Sequence, residues 1–290
     1  MARYAVLMAW ACGTVACGRD APPPAPPVAQ VSVVPDRTSV APGQPLELQY
    51  RFVRMSGAPA LAAGQWVFVH MLDEDGRLLW TDDHQPPVAA DAWGADPVEY
   101  RRTMFVPRIP LAGDVRIAVG LVNPASAQRA PLAGRDRGDR SYDVAAVTIV
   151  PADSGESPAY GEGWYDPERD EGEPGRPWRW SAGSGRLTFR NPRRDARLVL
   201  EVDQPIAGTA LQRIEARIGA DVVGAFALRP GSGRVIERIT VPAARLGTAD
   251  AVEITIGVDP TFVPASTAGL SSSDDRTLGV RLFNAHLSAR

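Results

Sequence analysis

The stretch Leu46-Glu47-Leu48-Gln49-Tyr50-Arg51-Phe52 alternates apolar and polar side chains without a break. Successive side chains of an extended strand point to opposite faces of a sheet, so this pattern predicts a strand with one buried face and one face in water. Short runs of the same kind recur up to residue 150 and are separated by turn residues. The spacing predicts an antiparallel β-sandwich over residues 31–151.

Two features within this region support the expected sandwich. Asp75-Gly76 predicts a tight hairpin, because a primed two-residue turn needs positive φ at both central residues. The nearly continuous apolar run from Val115 to Leu121 predicts a buried strand. The expected strands are Val31–Val34, Pro45–Val53, Gln65–Leu72, Arg77–Thr81, Val98–Val106, Val115–Val122 and Tyr142–Val150.

The order of elements in this region resembles that of immunoglobulin-like domains in bacterial envelope proteins. The resemblance is carried by Phe105-Val106-Pro107, by Gly113 and by the strand that follows. It implies an immunoglobulin-like sandwich and no particular activity.

Residues 152–158 are polar and without periodicity, which is typical of an interdomain linker. Beyond them, residues 159–290 are interpreted as a second β-sandwich, jelly-roll-like or related to it, with a single helical turn at Ala243–Leu246. Its expected later strands are Arg197–Val202, Leu211–Ile218, Val222–Leu228, Arg234–Val241, Ala251–Val258 and Leu278–Ala289. The predicted fold class is therefore all-β, with two tandem antiparallel sandwiches.

The opening of the second domain carries a further resemblance. Gly163-Trp164-Tyr165 and Glu168 are followed by Trp178-Arg179-Trp180 and then by Arg186-Leu187-Thr188-Phe189. This order resembles β-sandwich domains appended to bacterial membrane glycosyltransferases and exopolysaccharide proteins. It implies a sugar-related context and carries no catalytic residue.

The N-terminus has the anatomy of a secretory signal: Arg3, an apolar stretch, and then small residues up to Cys17. Thr14-Val15-Ala16-Cys17-Gly18 resembles a bacterial lipobox, which implies acylation of Cys17. Cys12 is the alternative lipidation site, and a cleaved signal with an incidental cysteine is the alternative to lipidation. Residues 18–30 are rich in proline and predict an extended tether between membrane and folded domain.

Composition excludes several classes of function. All 31 basic residues are Arg, and the formal net charge is -3, so no general attraction to nucleic acid is expected. Both cysteines lie in the leader, which leaves no disulfide framework or CxxC metal site for the domains. We expect no cofactor.

Two polar clusters contain residue types that could bind a metal or catalyse hydrolysis. His70 with Asp82-Asp83-His84 offers mixed metal ligands, but alternation places His70 in a strand beside a solvated turn, so no metal site is predicted. Glu162, Asp166 and Glu168 offer the paired carboxylates of a glycosidase. Carboxylates in a Gly/Pro-rich segment are more often exposed linker charge, so no catalytic residue is assigned.

Aromatic side chains form the remaining candidate site. A sugar platform is predicted from rings that stack on a pyranose and polar groups that bind its hydroxyls. The alternative is that Trp178 and Trp180, which share one face of a strand, pack in the core. The same two alternatives, sugar binding or core packing, apply to three tryptophans of the first domain: Trp66, Trp80 and Trp93. The candidate ligand-binding residues are Trp164, Tyr165, Glu168, Trp178, Arg179 and Trp180.

The sequence thus predicts a non-catalytic lipoprotein on the periplasmic or extracellular face of a bacterial membrane. Its expected partners are the membrane, through the lipid anchor, and a polysaccharide or an envelope protein. Two other functions stay open: a secreted carbohydrate-active enzyme that uses paired carboxylates, and a structural spacer in which every Trp is buried.

Overall fold

The structure is a computed structural model that describes residues 25–108, 110–152, 157–170, 176–206 and 209–290. Strands hold 51% of the residues and helices 4%, so the expected all-β class is confirmed. Cys12, Cys17 and the first part of the proline-rich tether lie outside the described residues.

The first half of the chain forms two facing sheets. One has the strand order β6-β3-β1-β9, and the other has the order β2-β10-β7-β4-β5 with β8 paired to β7. These strands are β1 Ala29–Pro35, β2 Ser39–Val40, β3 Pro45–Arg54, β4 Trp66–Leu72, β5 Leu78–Thr81, β6 Val98–Phe105, β7 Gly113–Asn123, β8 Gln128–Ala130, β9 Leu132–Ala133 and β10 Tyr142–Ile149. A 3-10 turn, Ala90–Ala92, lies between β5 and β6.

Alternation along β3 builds one wall of the first core. Leu46, Leu48, Tyr50 and Phe52 are at most 1% exposed, whereas Gln49 and the other residues between them face outward. Strand β7 is the central strand of the other sheet, and it is buried from Val115 through to Leu121, as its apolar run predicts. The core lies between these two sheets.

Three local features depart from the expected sandwich. Strand β1 starts at Ala29, two residues before the predicted domain start. It also pairs in parallel with β9, as β2 does with β10, so the sandwich is not purely antiparallel. At the β4–β5 hairpin, Gly76 N–H donates to Asp73 O and only Gly76 has positive φ, so the expected primed turn is wrong. A β-turn over Asp73–Gly76 connects the two strands. Gly76, with its positive φ, is the bulge residue that lets the chain enter β5.

The second half forms two more sheets, with the orders β11-β13-β18-β15-β16 and β12-β19-β14-β17. Their strands are β11 Ala159–Tyr160, β12 Arg179–Trp180, β13 Ser184–Arg190, β14 Ala196–Asp203, β15 Gln212–Ile218, β16 Asp221–Leu228, β17 Val235–Val241, β18 Ala251–Asp259 and β19 Arg281–Ala289. The expected helical turn Ala243–Leu246 is present, and a 3-10 turn covers Pro264–Ser266. A second core lies between the two sheets.

Strand β14 is buried on both of its faces. Leu198, Leu200 and Val202 point into the core. Glu201 and Asp203 lie on the opposite face, yet they are only 8% and 4% exposed. Acidic side chains of this kind are almost never buried without partners, so the outer face of β14 is covered by something other than water.

The covering element is the first sandwich. Arg238 of β17 donates to Thr103 Oγ1 of β6 and lies 3.7 Å from a carboxylate oxygen of Glu47 in β3. Arg108 donates to Asn284 Oδ1 of β19 at 3.3 Å. The outer faces of the β6-β3 and β19-β14-β17 sheets therefore face each other, and polar side chains meet between them.

Candidate functional site

A cavity of about 830 Å³ lies between these two facing sheets. We call it the arginine cleft. Its charged lining consists of five arginines and three carboxylates: Arg101, Arg102, Arg176, Arg234, Arg238, Asp82, Asp83 and Glu201. Trp80, Met104 and Phe105 supply apolar floor and belong to buried parts of the first sandwich.

Asp82 and His84 anchor one wall of the cleft. Arg102 forms two hydrogen bonds of 2.8 Å with the Asp82 carboxylate. His84 is 4% exposed, and its ring nitrogens lie 2.8 Å from Asp82 O and from Tyr100 Oη. The expectation that Asp82-Asp83-His84 form a solvated turn is therefore wrong. His84 pairs with Val67 through both backbone groups, and this pairing draws the segment into the sheet.

The hydrogen bonds fix the state of the His84 ring. A carbonyl oxygen only accepts, so Nδ1 carries the proton and Nε2 accepts from the Tyr100 hydroxyl. Burial first and Arg102 second lower the pKa of His84 to about 4, against the opposing effect of Asp82. Burial raises the pKa of Tyr100. The ring is therefore neutral at pH 7, and its two nitrogens link Asp82 to Tyr100.

Glu201 forms the opposite wall. Its Oε2 accepts a hydrogen bond of 2.8 Å from Asn284 Nδ2, and Arg234 lies 3.9 Å from its carboxylate. Burial raises the pKa of Glu201, while Asn284 and nearby arginines lower it. Asn284 and Arg234 thus partly compensate for the burial of this carboxylate.

A second cavity of about 230 Å³ lies beside the cleft. Between the two lies a small space of about 10 Å³, which shares Phe105, Arg176 and Glu201 with the cleft and Phe283 with the second cavity. We call the second cavity the aromatic pocket, and the whole space the interdomain groove. The aromatic pocket is lined by Arg108, Ser157, Pro158, Tyr160, Pro167, Pro177, Trp178, Arg179, Leu282 and Phe283.

Two of the six sequence-predicted binding residues, Trp178 and Arg179, therefore line the groove. The Trp178 ring lies 5.8 Å from the Phe283 ring and carries the Arg281 guanidinium at 4.6 Å. Arg281 is held by two hydrogen bonds to buried Asp203. Arg179 lies over the Tyr160 ring at 4.8 Å. One face of Trp178 is thus occupied by a fixed cation, and its remaining exposed area faces the pocket.

The other four predicted residues lie outside the groove lining. Trp180 is 6% exposed and packs edge-on against Phe262. Trp164 contacts the second core and donates through Nε1 to Arg186 O. Tyr165 donates to Thr277 O. Glu168 forms an ion pair of 2.8 Å with Arg276 and pairs through its backbone with Trp178.

The candidate glycosidase carboxylates have separate partners. Glu162 is 84% exposed and pairs with Arg186 of β13, whereas Glu168 pairs with Arg276. Asp166 is exposed. None of the three lines the interdomain groove.

The tryptophans of the first sandwich serve mainly in packing. Trp93 is 5% exposed, stacks at 4.8 Å from the Phe52 ring, and donates to Val88 O. Trp80 is 7% exposed and forms part of the cleft floor. Trp66 is half-buried in β4.

Reasoning from sequence missed the arginine cleft. The sequence carries little signal for it, because Arg197, Glu201 and Asp203 give the outward face of β14 the polar pattern of an ordinary exposed strand face. The arginines gave no signal, because they are scattered over residues 101–238 and meet only in the folded chain.

In the described parts of the chain, no group of three or more His, Cys, Asp or Glu side chains is arranged to hold a metal ion. Nor does that part contain a helix long and apolar enough to cross a bilayer.

Comparison with known proteins gives remote structural similarity only. No family model and no curated protein matches the sequence. SGBP-B, from a complex xyloglucan utilization locus in Bacteroides uniformis, is 9% identical with a TM-score of 0.34, covering 90% of this chain and 73% of that one. The tandem CBM51 modules of a family 98 glycoside hydrolase from Streptococcus pneumoniae are 10% identical with a TM-score of 0.25, covering 87% and 83%.

A third similar structure joins the M60 catalytic domain of Clostridium perfringens ZmpB to two CBM51 domains. It is 10% identical with a TM-score of 0.29, over 90% of this chain and 31% of that one. The chain spans less than a third of this protein and of two other matched structures. Several neighbours thus carry carbohydrate-binding modules, but likeness at this level does not transfer a function.

Proposed function

We propose that the protein is a non-catalytic polysaccharide-binding lipoprotein of the bacterial envelope, and that it holds a segment of glycan in the interdomain groove. The observation that supports this is that two complementary cavities adjoin. The cleft is rich in hydrogen-bond donors, and beside it lies a pocket walled by Trp178, Tyr160 and Phe283.

The chemistry of the groove suits a chain of sugar rings. Aromatic side chains provide flat apolar faces for pyranose rings, and guanidinium groups donate several hydrogen bonds in a fixed geometry. Together, the cleft and the pocket offer a sugar chain both kinds of contact within one groove. The carboxylates nearest to a glycosidase arrangement lie outside it, which favours binding over hydrolysis.

Binding is tested by isothermal titration of the purified full chain with a panel of neutral and acidic bacterial polysaccharides. We expect saturable binding to at least one polymer. Trp178→Ala should weaken it by about tenfold, because stacking and apolar burial on a ring contribute on the order of 1 kcal/mol.

Trp164→Phe is the matched control, because Trp164 is also half-buried in the second sandwich but does not line the groove. Both variants are first compared by thermal unfolding, and only folded variants are titrated. Trp164→Phe should bind the polymer as tightly as the unmodified protein does. If Trp178→Ala binds as tightly as Trp164→Phe, or if no polymer binds to the unmodified protein, the proposal is refuted.

The envelope location rests on the leader and the tether. If Cys17 is acylated, the protein should partition into the detergent phase when expressed with its leader in a Gram-negative host, and Cys17→Ser should move it to the aqueous phase. Cys12→Ser should leave the partition unchanged. The reverse pattern would assign the anchor to Cys12, and no detergent partition in any form would contradict lipidation.

A further inference from the structure

We infer that the glycan is acidic, and that its carboxylates bind to the guanidinium groups of Arg101, Arg176 and Arg238 in the arginine cleft. This inference rests on the proposed function and names the class of ligand.

The charge of the cleft is opposite to that of the whole protein. Five arginines and three carboxylates line it, an excess of two positive charges, although the chain as a whole carries -3. A local excess of one sign within a low-dielectric cleft concentrates its field on the space inside. A ligand with negative groups is therefore attracted to the cleft.

The arginines differ in how far their donors are already used. Arg102 donates two hydrogen bonds of 2.8 Å to the Asp82 carboxylate. Its guanidinium group is therefore already paired with a carboxylate inside the protein. Arg101 and Arg238 instead share a single carboxylate, that of Glu47, at 3.6 and 3.7 Å. These distances are longer than a charge-assisted hydrogen bond. Arg238 also donates through Nε and Nη2 to Thr103 Oγ1, so Arg101 is the member of this pair whose donors are less engaged within the protein.

Arg101 is the most accessible of the set. Its side chain is 65% exposed, while Glu47 is 20% exposed beneath it. The guanidinium therefore extends into the cleft, where a ligand carboxylate has access to its N–H groups. Bidentate binding of this type is the preferred geometry between arginine and a carboxylate.

Arg176 extends the positive lining toward the aromatic pocket. It borders both the cleft and the small space between the two cavities, and Pro177 and Trp178 follow it directly in sequence. A polymer with a carboxylate on its sugar rings can therefore place a ring against Trp178 and neighbouring carboxylates against Arg176 and Arg101. The acidic side chain on this wall, Glu201, accepts a hydrogen bond from Asn284 and lies 3.9 Å from Arg234, so its charge is partly balanced within the protein.

The test uses three uronate polymers, polygalacturonate, alginate and hyaluronan, each paired with its carboxyl-reduced form. Reduction converts the carboxylate to a hydroxymethyl group and keeps the sugar chain. We expect the full-length protein to bind at least one uronate polymer, and to lose at least tenfold in affinity when that polymer is reduced.

Variants then assign the contact to the cleft. Arg101→Gln and Arg176→Gln should each weaken binding of the uronate polymer by about fivefold or more and reduce its dependence on salt concentration. Arg213→Gln is the matched control: its side chain is 67% exposed, and Arg213 lies on β15 and does not line the groove. All three remove one positive charge, so a loss confined to the first two excludes an effect of net charge alone.

The outcomes separate the two proposals. If a neutral or reduced polymer binds as tightly as its uronate form, the acidic specificity is refuted while the proposed function stands. If uronate binding is equally weakened by Arg213→Gln, the cleft is not the carboxylate site. If no polymer binds in any form, both proposals fail.

Discussion

At the scale of single residues, His84 shows how burial decides a protonation state. The neutral ring donates from Nδ1 and accepts at Nε2, and both partners lie at 2.8 Å. Its pKa in the folded chain is about 4, against an ordinary value of 6.5, and burial is the first cause. The unfolded chain therefore binds one more proton than the folded chain between these two values.

The sign of this difference gives a pH dependence. Because the folded pKa of His84 is the lower one, its contribution to stability is intact above pH 6.5 and is lost as the pH falls toward 4. Because the unfolded chain protonates His84 first, the free energy of unfolding should fall by about 2 kcal/mol from pH 7 to pH 5 on account of this residue. Urea denaturation at the two pH values measures it, and His84→Gln should show a correspondingly smaller difference.

His286 provides the control for this measurement. Burial also lowers its pKa to about 4, so His286→Gln should remove a separate contribution and leave that of His84. An unchanged pH dependence in His84→Gln would contradict the assignment of a neutral buried ring.

Prediction of residues from sequence succeeded where the pattern was local. The alternation of Leu46, Leu48, Tyr50 and Phe52 identified buried side chains, because burial in a strand depends on neighbours two positions away. The burial of His84 was not predicted, because its partner Tyr100 comes from strand β6. Nothing in the loop sequence around His84 encodes that contact.

At the scale of elements, the β4–β5 hairpin depends on one backbone conformation. Gly76 has φ of 82° at the last position of the Asp73–Gly76 turn. A side chain in this region clashes with its own backbone, so Gly76→Ala should lower the free energy of unfolding by about 1 kcal/mol. The shift is measured from the urea midpoint at constant m-value.

Gly94→Ala is the comparison for the hairpin. Gly94 lies outside the positive-φ region, and a Cβ there would meet no atom within 4 Å. It should be neutral or slightly stabilising, because alanine restricts the unfolded chain. If both variants lose the same stability, the conformation of Gly76 is not what stabilises the turn.

Elements were predicted better than their pairing. The expected strands correspond to β3, β4, β6, β7 and β10 within a few residues, because each has its own period and its own turn residues. The parallel pairing of β1 with β9 was not predicted, since register between distant segments leaves no trace in local composition.

At the scale of the whole molecule, the groove depends on how two independent cores are placed. Residues 28–149 contribute the first core and residues 187–287 the second, and no core cluster contains residues of both. The linker and the scattered arginines could not have revealed the groove, because its two walls come from residues 79–107 and 176–238, which are distant in sequence. The aromatic half was partly predicted, through Trp178 and Arg179, because those residues are neighbours in the chain.

The separate cores lead to a prediction about the halves of the protein. Residues 25–152 and 157–290, expressed separately, should each unfold cooperatively, since each buries its own apolar cluster between two sheets. Thermal unfolding followed by circular dichroism measures this. A half that lacks a cooperative transition would show that the interface between sandwiches, including Arg238–Thr103, is needed for folding.

The same halves test where binding occurs. Arg101 belongs to the first half and Arg176 and Trp178 to the second, so neither half holds the complete groove. Each half should bind a uronate polymer at least tenfold more weakly than the intact chain, because covalent linkage supplies the high effective concentration that keeps the two walls together. A folded second half that binds as tightly as the whole protein would instead place the site on that sandwich alone, around Trp178.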